Sequence, residues 1–467
     1  MNHRICLVLL CGLPFGLMAQ SLPGADSLTR LIRKTLQFVE SQQVKETIPG
    51  YEFAGEWPSE MQMKSPYPLL GKHRSYDSNC FSLAATLNIL ADVYTLDTSL
   101  KAIPKLMDKA YPQLMSYVSK DGFNFWPLLP PGGSLSWYRS TDYRQRVRRP
   151  IQFPILNTYI RRAANVMNDN DDTAQALLAL LRYERLLGIP IPDSLRNLSF
   201  HSYRDTLRDN RHYYNHFAFV PYNTGAFLTW RGEERFFPTH DLVLLAINNA
   251  LFLTPLSTAY PKAYTPYMPY GSNDIDAVVN ANVLHYLTEV QRYEPGIYGA
   301  AQFIHRKVHL KRYSKAGVYY PNRYHLHHAV IKAFKSGANE LKPSVEQLIK
   351  HLKVSQKSNG SYHSRWLVNR RDIDQSTLYA LHAMLMAGSM KETGLQPQIE
   401  KALHFLLSRL SVSPEQACLN GGVYFSGGTV IRNTLYWSSD AYSTALFLHC
   451  LTLIRAQTAE PNSAPNR

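Results

Sequence analysis

An acidic segment that recurs in front of helical stretches constrains the fold of this chain most strongly. The sequence D-N-D-D-T-A at 169–174 precedes residues 175–187, whose apolar side chains have helical spacing. Related segments, N-D-I-D at 273–276 and D-I-D at 372–374, follow at nearly equal intervals. A chain that places acids before a helix three times at matching positions is predicted to be a repeat protein.

A second repeated pattern consists of a glutamine, a glycine and a tyrosine. Each unit then reads as an outer helix, the glutamine, a glycine turn, the aromatic residue, a loop, the acid and an inner helix. We predict that the glutamine caps the outer helix and that the aromatic side chain packs between units. The pattern occurs at Gln291/Gly296/Tyr298, Gln356/Gly360/Tyr362 and Gln416/Gly422/Tyr424, and Gly317/Tyr319 repeats its second half.

Nearly every apolar stretch has helical periodicity and alternating strand patterns are scarce, so we predict an all-α chain. The predicted helices span residues 28–42, 81–94, 100–118, 174–187, 242–253, 277–290, 325–333, 345–354, 376–387, 399–410 and 442–454. Pro, Gly, Tyr and Asn concentrate in the connections. We therefore predict an α/α toroid, a closed barrel of helical hairpins with long aromatic-rich loops. The loops at the N-termini of its inner helices would converge on one central mouth.

The N-terminal segment has the pattern of a secretory signal. Residues 1–19 combine one early basic residue, an apolar run and a small residue at the end, which is typical of a cleaved signal peptide. We therefore predict an exported protein, periplasmic or secreted. The remaining chain divides into an N-terminal helix with an extended lead-in at 20–69, the toroid at 70–457 and a disordered tail at 458–467.

The net charge indicates which partners the protein can bind, and the number of cysteines indicates whether disulfides can stabilise it. The formal net charge is +15, but the basic residues are scattered and no nucleic-acid-binding motif accompanies them. We predict no nucleic-acid partner and a small-molecule or lipid-like substrate, and peripheral contact with a membrane stays open. Outside the signal segment, Cys80, Cys418 and Cys450 are too few for a disulfide framework. Buried free thiols are expected more than a Cys418–Cys450 bridge.

These features resemble the helical toroids of the class II terpene cyclases, including the squalene–hopene cyclases, and of the related prenyltransferase-type domains. The likeness covers roughly residues 76–454. The D-x-D-D-T-A sequence at 169–174 matches the acid motif of these cyclases over its full length. The Q-x(2–5)-G-x-W repeat of the family is matched with tyrosine in place of tryptophan.

The resemblance implies an acid-initiated reaction. The middle acid of the family's motif is its proton donor, a role that would fall on Asp171, with Asp169 and Asp172 beside it. Three crowded carboxyls cannot all ionise easily, so at least one tends to stay protonated. The carbocation that follows needs aromatic walls, and the chain has 30 Tyr, 19 Phe and 6 Trp. Such protonation requires no cofactor. The helper histidine of the family is not assigned by any motif here.

Several other residues are candidates for the substrate pocket. They are Asp274, Asp276, Asn280, Trp230, Trp437, Tyr319 and His325. For the acids and amides, capping of a helix is the competing interpretation. A Mg²⁺ site shared by the two acidic segments also stays open, because oxygen ligands suit this ion. Asp372 and Asp374 stand beside Arg370 and Arg371, and we expect a structural ion pair there.

Three functions are compatible with these patterns. The first is a terpene cyclase-like enzyme that cyclises or isomerises a polyprenoid by protonating it. The second is an exported carbohydrate-active enzyme on an α/α toroid, either a polysaccharide lyase or a glycoside hydrolase that pairs Asp171 with Asp274 or Asp276. The third is a non-catalytic binding toroid. A deep aromatic cavity would favour the first function, an open basic cleft the second and a plugged centre the third.

Overall fold

The computed structural model describes residues 22–48, 52–64, 72–119, 121–127, 168–207, 223–231, 275–364, 371–388, 390–427 and 435–459. Several predictions lie outside these residues. They are the signal peptide at 1–19, the helix at 242–253, Asp274 and residues 460–467 of the tail.

The described part of the chain is mainly helical, which confirms the all-α class. Its α-helices are α1 (Ala25–Gln42), α2 (Cys80–Leu96), α3 (Ala102–Ser116), α4 (Asn170–Leu187), α5 (Asp193–Arg196), α6 (Ala277–Glu289), α7 (Ile297–His309), α8 (Arg323–Lys335), α9 (Lys342–Ser355), α10 (Arg371–Met386), α11 (Met390–Thr393), α12 (Gln396–Leu407) and α13 (Asp440–Ala459). The predicted helices within the described residues are all present. Pro112 stands inside α3 without ending it.

Six helices form a closed inner ring. In chain order α2, α4, α6, α8, α10 and α13 each pack against the next, and α13 packs back against α2. Five helices lie outside them: α1 packs on α13, α3 on α2, α7 on α6, α9 on α8 and α12 on α10. The predicted toroid, rather than an open superhelix, is therefore confirmed.

The two rings differ in which side chains they bury. The outer helix α1 is amphipathic and buries one stripe, which includes Leu28, Ile32, Leu36 and Val39. The inner helices are covered on all sides, and α2 buries 13 of its 17 residues. Small residues in their first turns, such as Ala84 and Ala441, allow these helices to crowd together.

Short antiparallel sheets lie at the N-terminal ends of the inner helices. The strands are β1 (Ser59–Lys64), β2 (Lys72–Asp77), β3 (Val118–Ser119), β4 (Gly122–Phe123), β5 (Asn168–Asp169), β6 (Trp230–Arg231), β7 (Ser411–Val412), β8 (Ala417–Cys418), β9 (Val423–Gly427) and β10 (Leu435–Ser438). They pair in the orders β2-β1-β10-β9, β3-β4-β5-β6 and β7-β8. Strands β2, β5 and β10 lead directly into α2, α4 and α13, so the sheets position the first turns of those helices.

The predicted glutamine repeat is present at Gln356. Its side-chain amide donates to the carbonyls of Gly360, at 3.1 Å, and Gln398, at 2.8 Å. Tyr362 is fully buried and its hydroxyl donates to the carbonyl of Leu352 at 3.0 Å. The glutamine therefore joins consecutive outer helices, and the aromatic side chain packs between them, as expected.

The counterpart of this unit lies earlier in the chain, where sequence analysis did not find it. The Gln43 amide donates to the carbonyls of Gly55, at 2.9 Å, and Leu106, at 2.8 Å. The indole N–H of Trp57 donates to the carbonyl of Val39 at 2.8 Å. These bonds match those of the Gln356 unit, with tryptophan in place of tyrosine. The longer insertion between glutamine and glycine hid the pattern.

The first predicted repeat, at Gln291/Gly296/Tyr298, is wrong. Tyr298 lies in the outer helix α7, where it is 68% exposed instead of packed between units. Helix α7 itself was not predicted, because Gly296 and Gly299 at its start resemble a turn. Gly299 is required there for a different reason: a Cβ on it would stand 2.3 Å from the carbonyl carbon of Gly225.

Two further observations concern thiols and membranes. Cys80, Cys418 and Cys450 are thiols and not disulfides, as expected; Cys80 and Cys450 are buried and Cys418 is half-buried. Within the described ranges, no helix combines the length and the apolar character needed to cross a bilayer.

Candidate functional site

The three acids of the 169–174 segment are held at the junction of a sheet and an inner helix. Helix α4 begins at Asn170, earlier than predicted, so Asp171 and Asp172 lie in its first turn. Asp169 is the N-cap, and its carboxylate accepts the backbone N–H of Asp172 at 2.7 Å. Strand β5 places Phe123 and Trp230 beside Asp169 on the two neighbouring strands. Helix capping therefore explains Asp169, because a helix needs only one N-cap residue. It does not explain Asp171 and Asp172.

Burial raises the pKa of all three acids. Asp169, Asp171 and Asp172 are only 6%, 5% and 2% exposed. Burial, and then the charge of Asp169, raise the pKa of Asp171 well above its usual value. The same two causes raise the pKa of Asp172. Burial raises the pKa of Asp169 to about 6, the smallest change of the three. Burial and the neighbouring charge therefore favour the protonated carboxyl over the carboxylate at Asp171 and Asp172.

Two groups on other inner helices act on Asp171. The side-chain amide of Asn282, on α6, donates to Oδ1 of Asp171 at 2.7 Å. The positive charge of Lys332, on α8, favours the ionised carboxylate. Both interactions stabilise the negative charge that appears when Asp171 gives up its proton. Asn282 is thus a side-chain donor to Asp171 from a neighbouring helix of the inner ring.

A buried arginine supports the acids from the other side. Arg231, on β6, donates to Oδ1 of Asn170 at 2.8 Å and to the carbonyls of Asp121 and Ser199. Burial lowers the pKa of Arg231 to about 10, so it stays positively charged at neutral pH. Its charge also acts on Asp169. Sequence analysis missed Arg231, because it stands next to a tryptophan in a segment without helical or strand periodicity.

The acids help to line a small cavity whose other walls are mainly aromatic. Its lining residues are Phe81, Phe125, Asp169, Asp171, Asp172, Thr229, Trp230, Val279, Tyr319, Tyr320 and Phe425. Phe425 stacks on Phe125 with ring centroids 5.1 Å apart and on Tyr319 at 6.0 Å. The indole N–H of Trp230 donates to the Tyr319 hydroxyl at 2.9 Å. The cavity holds about 20 Å³, roughly the room of one water molecule.

Solved structures share this architecture. The type II terpene cyclase MstE from Scytonema, in a complex with geranylgeranyl dihydroxybenzoate described as its substrate, matches with a TM-score of 0.52 at 10% identity, over 93% of this chain and 98% of that chain. Its complex with merosterolic acid A, described as its product, matches equally well. The fold is that of the class II terpene cyclases.

A third solved structure also has this architecture. A protein from Actinoplanes matches with a TM-score of 0.50 at 14% identity, over 92% of this chain and 100% of that chain. No family model and no curated protein matches the sequence. The likeness therefore rests on structure, and it establishes the fold alone.

Two predicted pocket residues of α6 have structural partners instead. The Asp276 carboxylate is completely buried and accepts backbone N–H groups of Val278, Val279, Val318 and Tyr319. The Asn280 amide exchanges hydrogen bonds of 2.9 Å with the backbone of Phe227. Neither residue lines the cavity. Capping and strand-like pairing explain both side chains. The charge of Asp276 acts on Asp171, but the Asp276 carboxylate is engaged with four backbone N–H groups.

Two other predicted pocket residues lie behind the cavity wall. The Trp437 indole donates to Oδ2 of Asp77 at 2.7 Å, and its ring packs edge-on against Phe425 at 5.1 Å. His325 stacks on Tyr379 with centroids 4.4 Å apart, and burial lowers its pKa to about 3, so it is neutral. Both support lining residues without lining the cavity themselves. Trp230 and Tyr319 are the predicted pocket residues that reach it.

The third acidic segment is structural, as expected, but with another partner. Asp374 pairs with Arg409 at 3.1 Å, and Asp372 accepts the backbone N–H of Val423 at 2.8 Å. Within the part of the chain that the structure describes, no group of three or more His, Cys, Asp or Glu side chains is arranged to hold a metal ion. Asp274, the other half of the proposed Mg²⁺ site, lies outside that part.

Proposed function

We propose that the protein is a terpene cyclase-like enzyme that cyclises or isomerises a polyprenoid by protonating it. The observation that supports this proposal most is that Asp171, a buried carboxyl whose pKa is raised well above its usual value, lines an aromatic cavity. An alkene is a weak base, so its protonation needs a strong acid shielded from water. Asp171 meets this need, because burial holds its proton while Asn282 and Lys332 favour the carboxylate that remains.

The reaction follows from these groups. Asp171 transfers its proton to a carbon of a substrate double bond, and the neighbouring carbon becomes a carbocation. The faces of Phe81, Phe125 and Phe425 stabilise that charge while another double bond attacks it and closes a ring. Loss of a proton from an adjacent carbon ends the reaction. One proton is gained and one lost, so the product is an isomer of the substrate.

The substrate class is inferred from the cavity and from the neighbours. An aromatic lining with few polar groups suits a hydrocarbon chain better than a sugar or a uronate. The narrow space means that the aromatic walls must separate when a prenyl chain enters. We therefore propose a small prenyl-type lipid, similar to the ligands seen in MstE.

The experiment compares the wild type with Asp171→Asn. Both proteins are incubated with geranylgeranyl dihydroxybenzoate, geranylgeranyl diphosphate, squalene and an acidic glycan, and the products are identified by mass spectrometry. We expect the wild type to convert a prenyl substrate to an isomer and Asp171→Asn to convert none. The variant should keep its stability within about 2 kcal/mol of the wild type. Wild-type turnover in Asp171→Asn would contradict the proposal, and cleavage of the glycan would favour the carbohydrate-active alternative.

Three further predictions accompany the proposed function, and they concern cofactors, cellular location and membrane contact. The proposed chemistry needs no cofactor, so turnover should survive treatment with EDTA. The exported location and the peripheral membrane contact stay predictions from the sequence, and a lipid-like substrate would be consistent with both.

A further inference from the structure

One buried carboxyl joins the segments that form the aromatic wall of the cavity. The indole N–H of Trp126 donates to Oδ1 of Asp77 at 2.9 Å, and that of Trp437 donates to Oδ2 at 2.7 Å. The side-chain amide of Asn79 also donates to Oδ2, at 2.9 Å. Asp77 is 2% exposed, and the two indoles are at most 5% exposed. We call these four residues the Asp77 anchor.

The two indoles of the Asp77 anchor support two phenylalanines of the wall. Trp126 follows Phe125 in the chain, and their rings pack edge to face with centroids 4.8 Å apart. Trp437 packs edge-on against Phe425 at 5.1 Å and against Phe125 at 5.5 Å. Phe125 and Phe425 therefore rest on indoles whose N–H groups share one acceptor.

The amide of the Asp77 anchor acts on the third phenylalanine of the wall through the start of α2. Asn79 is the N-cap of α2, and its side-chain oxygen accepts a backbone N–H of the first turn at 2.8 Å. Phe81 lies in that turn. The backbone N–H of Cys80 donates to the carbonyl of Phe125 at 2.8 Å, which joins the start of α2 to the segment of Phe125. The amide orientation that caps α2 is thus the one that directs the Asn79 N–H groups toward Asp77.

Sheet pairing and apolar packing do not explain these bonds. In the sheet order β2-β1-β10-β9, β1 separates β2, which ends at Asp77, from β10, which carries Trp437. Burial raises the pKa of Asp77 to about 6, and its three side-chain donors oppose that rise. An aliphatic residue at this position would avoid the cost of burying a carboxyl, but it would leave two buried indole N–H groups without this acceptor.

We propose that Asp77 is a positioning residue that fixes the phenylalanine faces of the cavity wall. This inference rests on the proposed function only for the carbocation that those faces would meet. Phe81, Phe125 and Phe425 line the cavity, whereas Asp77 does not. Attraction between a cation and a ring depends on the distance and direction of the ring face. One side chain behind the wall therefore sets the relative positions of three faces that come from distant segments.

Fluorine NMR tests this role without a substrate. All phenylalanines are replaced by para-fluorophenylalanine, and the lines of Phe125 and Phe425 are identified by their loss in Phe125→Leu and Phe425→Leu. In Asp77→Asn one carboxyl oxygen becomes an amide nitrogen that donates, so one indole N–H loses its acceptor. We expect one narrow line for Phe125 in the wild type and a broadened or divided line in Asp77→Asn, because Phe125 packs on both indoles.

A matched control is a second buried aspartate. Asp205 is fully buried, and its carboxyl accepts the backbone N–H groups of Thr224 and Gly225 and the Thr224 hydroxyl, none of which belongs to an aromatic ring. Asp205→Asn should leave the Phe125 and Phe425 lines as they are in the wild type.

Removal of a donor gives a second test, which keeps Asp77 in place. Benzothienylalanine has the shape of tryptophan but carries sulfur where the indole has its N–H. In place of Trp437 it should broaden or divide the Phe425 line. In place of Trp57, whose N–H donates to the carbonyl of Val39 instead, it should leave that line narrow.

Turnover of a converted prenyl substrate shows whether the wall matters to the reaction. We expect Asp77→Asn to lower kcat by about tenfold or more with little change in KM, because misplaced ring faces stabilise the carbocation less while the neutral chain still binds. A wild-type kcat in a variant whose Phe125 line is divided would overturn the role of these positions in the reaction.

The outcomes separate this inference from the proposed function. Wild-type lines in folded Asp77→Asn, or equal changes in Asp205→Asn, would overturn the positioning role. If Asp77→Asn does not fold, a narrow Phe425 line with benzothienylalanine in place of Trp437 would overturn it in the same way. Turnover in Asp171→Asn would instead overturn the acid, and the line shapes would still decide whether Asp77 positions the wall.

Discussion

At the scale of single residues, the surroundings of a carboxyl decide whether it caps a helix or can donate a proton. Asp276 accepts four backbone N–H groups, which oppose the rise in its pKa that burial causes. Asp171 has one side-chain amide donor and shares its surroundings with two other acids. Both acids follow similar sequence patterns, and only their three-dimensional partners distinguish them.

Asn282 should be required for the acid strength of Asp171. Its amide is a donor to the oxygen on which negative charge develops, and loss of such a hydrogen bond costs about 2 kcal/mol, or roughly thirtyfold in rate. We therefore expect Asn282→Leu to lower kcat by that factor with little change in KM. Asn88→Leu is the matched control, because Asn88 is a buried asparagine of α2 that bonds to Gln175 instead. Equal losses in both variants would contradict a specific role for Asn282.

Glu56 should make stability depend on pH. Burial raises the pKa of Glu56 to about 8, although Ser78 and the backbone of Phe53 donate to its carboxyl. The folded protein keeps a proton on Glu56 that the unfolded chain loses above its ordinary pKa, so this contribution to stability disappears as pH rises. Relative to the wild type, Glu56→Gln should gain about 3 kcal/mol in free energy of unfolding between pH 5 and 8.

Urea unfolding at each pH measures this difference. Glu40→Gln, a change of an exposed glutamate on α1, controls for the loss of one carboxyl. A difference between Glu56→Gln and the wild type that is constant with pH would show that Glu56 has no raised pKa.

At the scale of elements, the glycine of each repeat unit is fixed by a neighbouring outer helix. Gly360 has φ +87°, and a Cβ on it would stand 2.1 Å from the carbonyl oxygen of Lys401. Gly55 has φ +90° and the same distance to Lys109. Gly188 also has a positive φ, of +70°, but nothing lies within 4 Å. Comparing the three positions therefore separates the free-energy cost of a positive φ from the cost of a steric clash with a neighbouring helix.

Substitution by alanine should reveal that separation. Gly188→Ala should cost about 1 kcal/mol for its left-handed backbone. Gly360→Ala should cost about 3 kcal/mol or more, because the outer helices must also move apart. Thermal unfolding of both variants provides the comparison, and equal losses would mean that the close approach at Gly360 is not a constraint.

The helices were predictable from the sequence and the cavity was not. Periodicity located the inner helices, but α4 and α10 begin earlier than predicted, because each has two aspartates in its first turn, which interrupt the apolar pattern. The motif identified Asp171, whereas Phe81, Phe125 and Phe425 come from three distant segments with no shared pattern. Polar residues inside apolar helices, such as Asn282, were the available signal for the axis of the ring.

At the scale of the whole molecule, stability should depend on closure of the ring. Helix α13 packs on both α2 and α10, and an ion pair of Arg455 with Asp97 joins it to the end of α2. An open array would lose only its terminal unit when shortened. We expect a chain that ends before α13 to lose cooperative urea unfolding altogether, as followed by circular dichroism. A sharp transition in the shortened chain would show that closure is dispensable.

We propose that Asp171 starts the reaction by giving its proton to a carbon of the substrate. The most direct measurement is turnover of the converted prenyl substrate in D2O, with mass spectrometry of the product. Because Asp171 is recharged from solvent, the product should carry one deuterium at the carbon that was protonated. A product formed in D2O without deuterium would contradict the account.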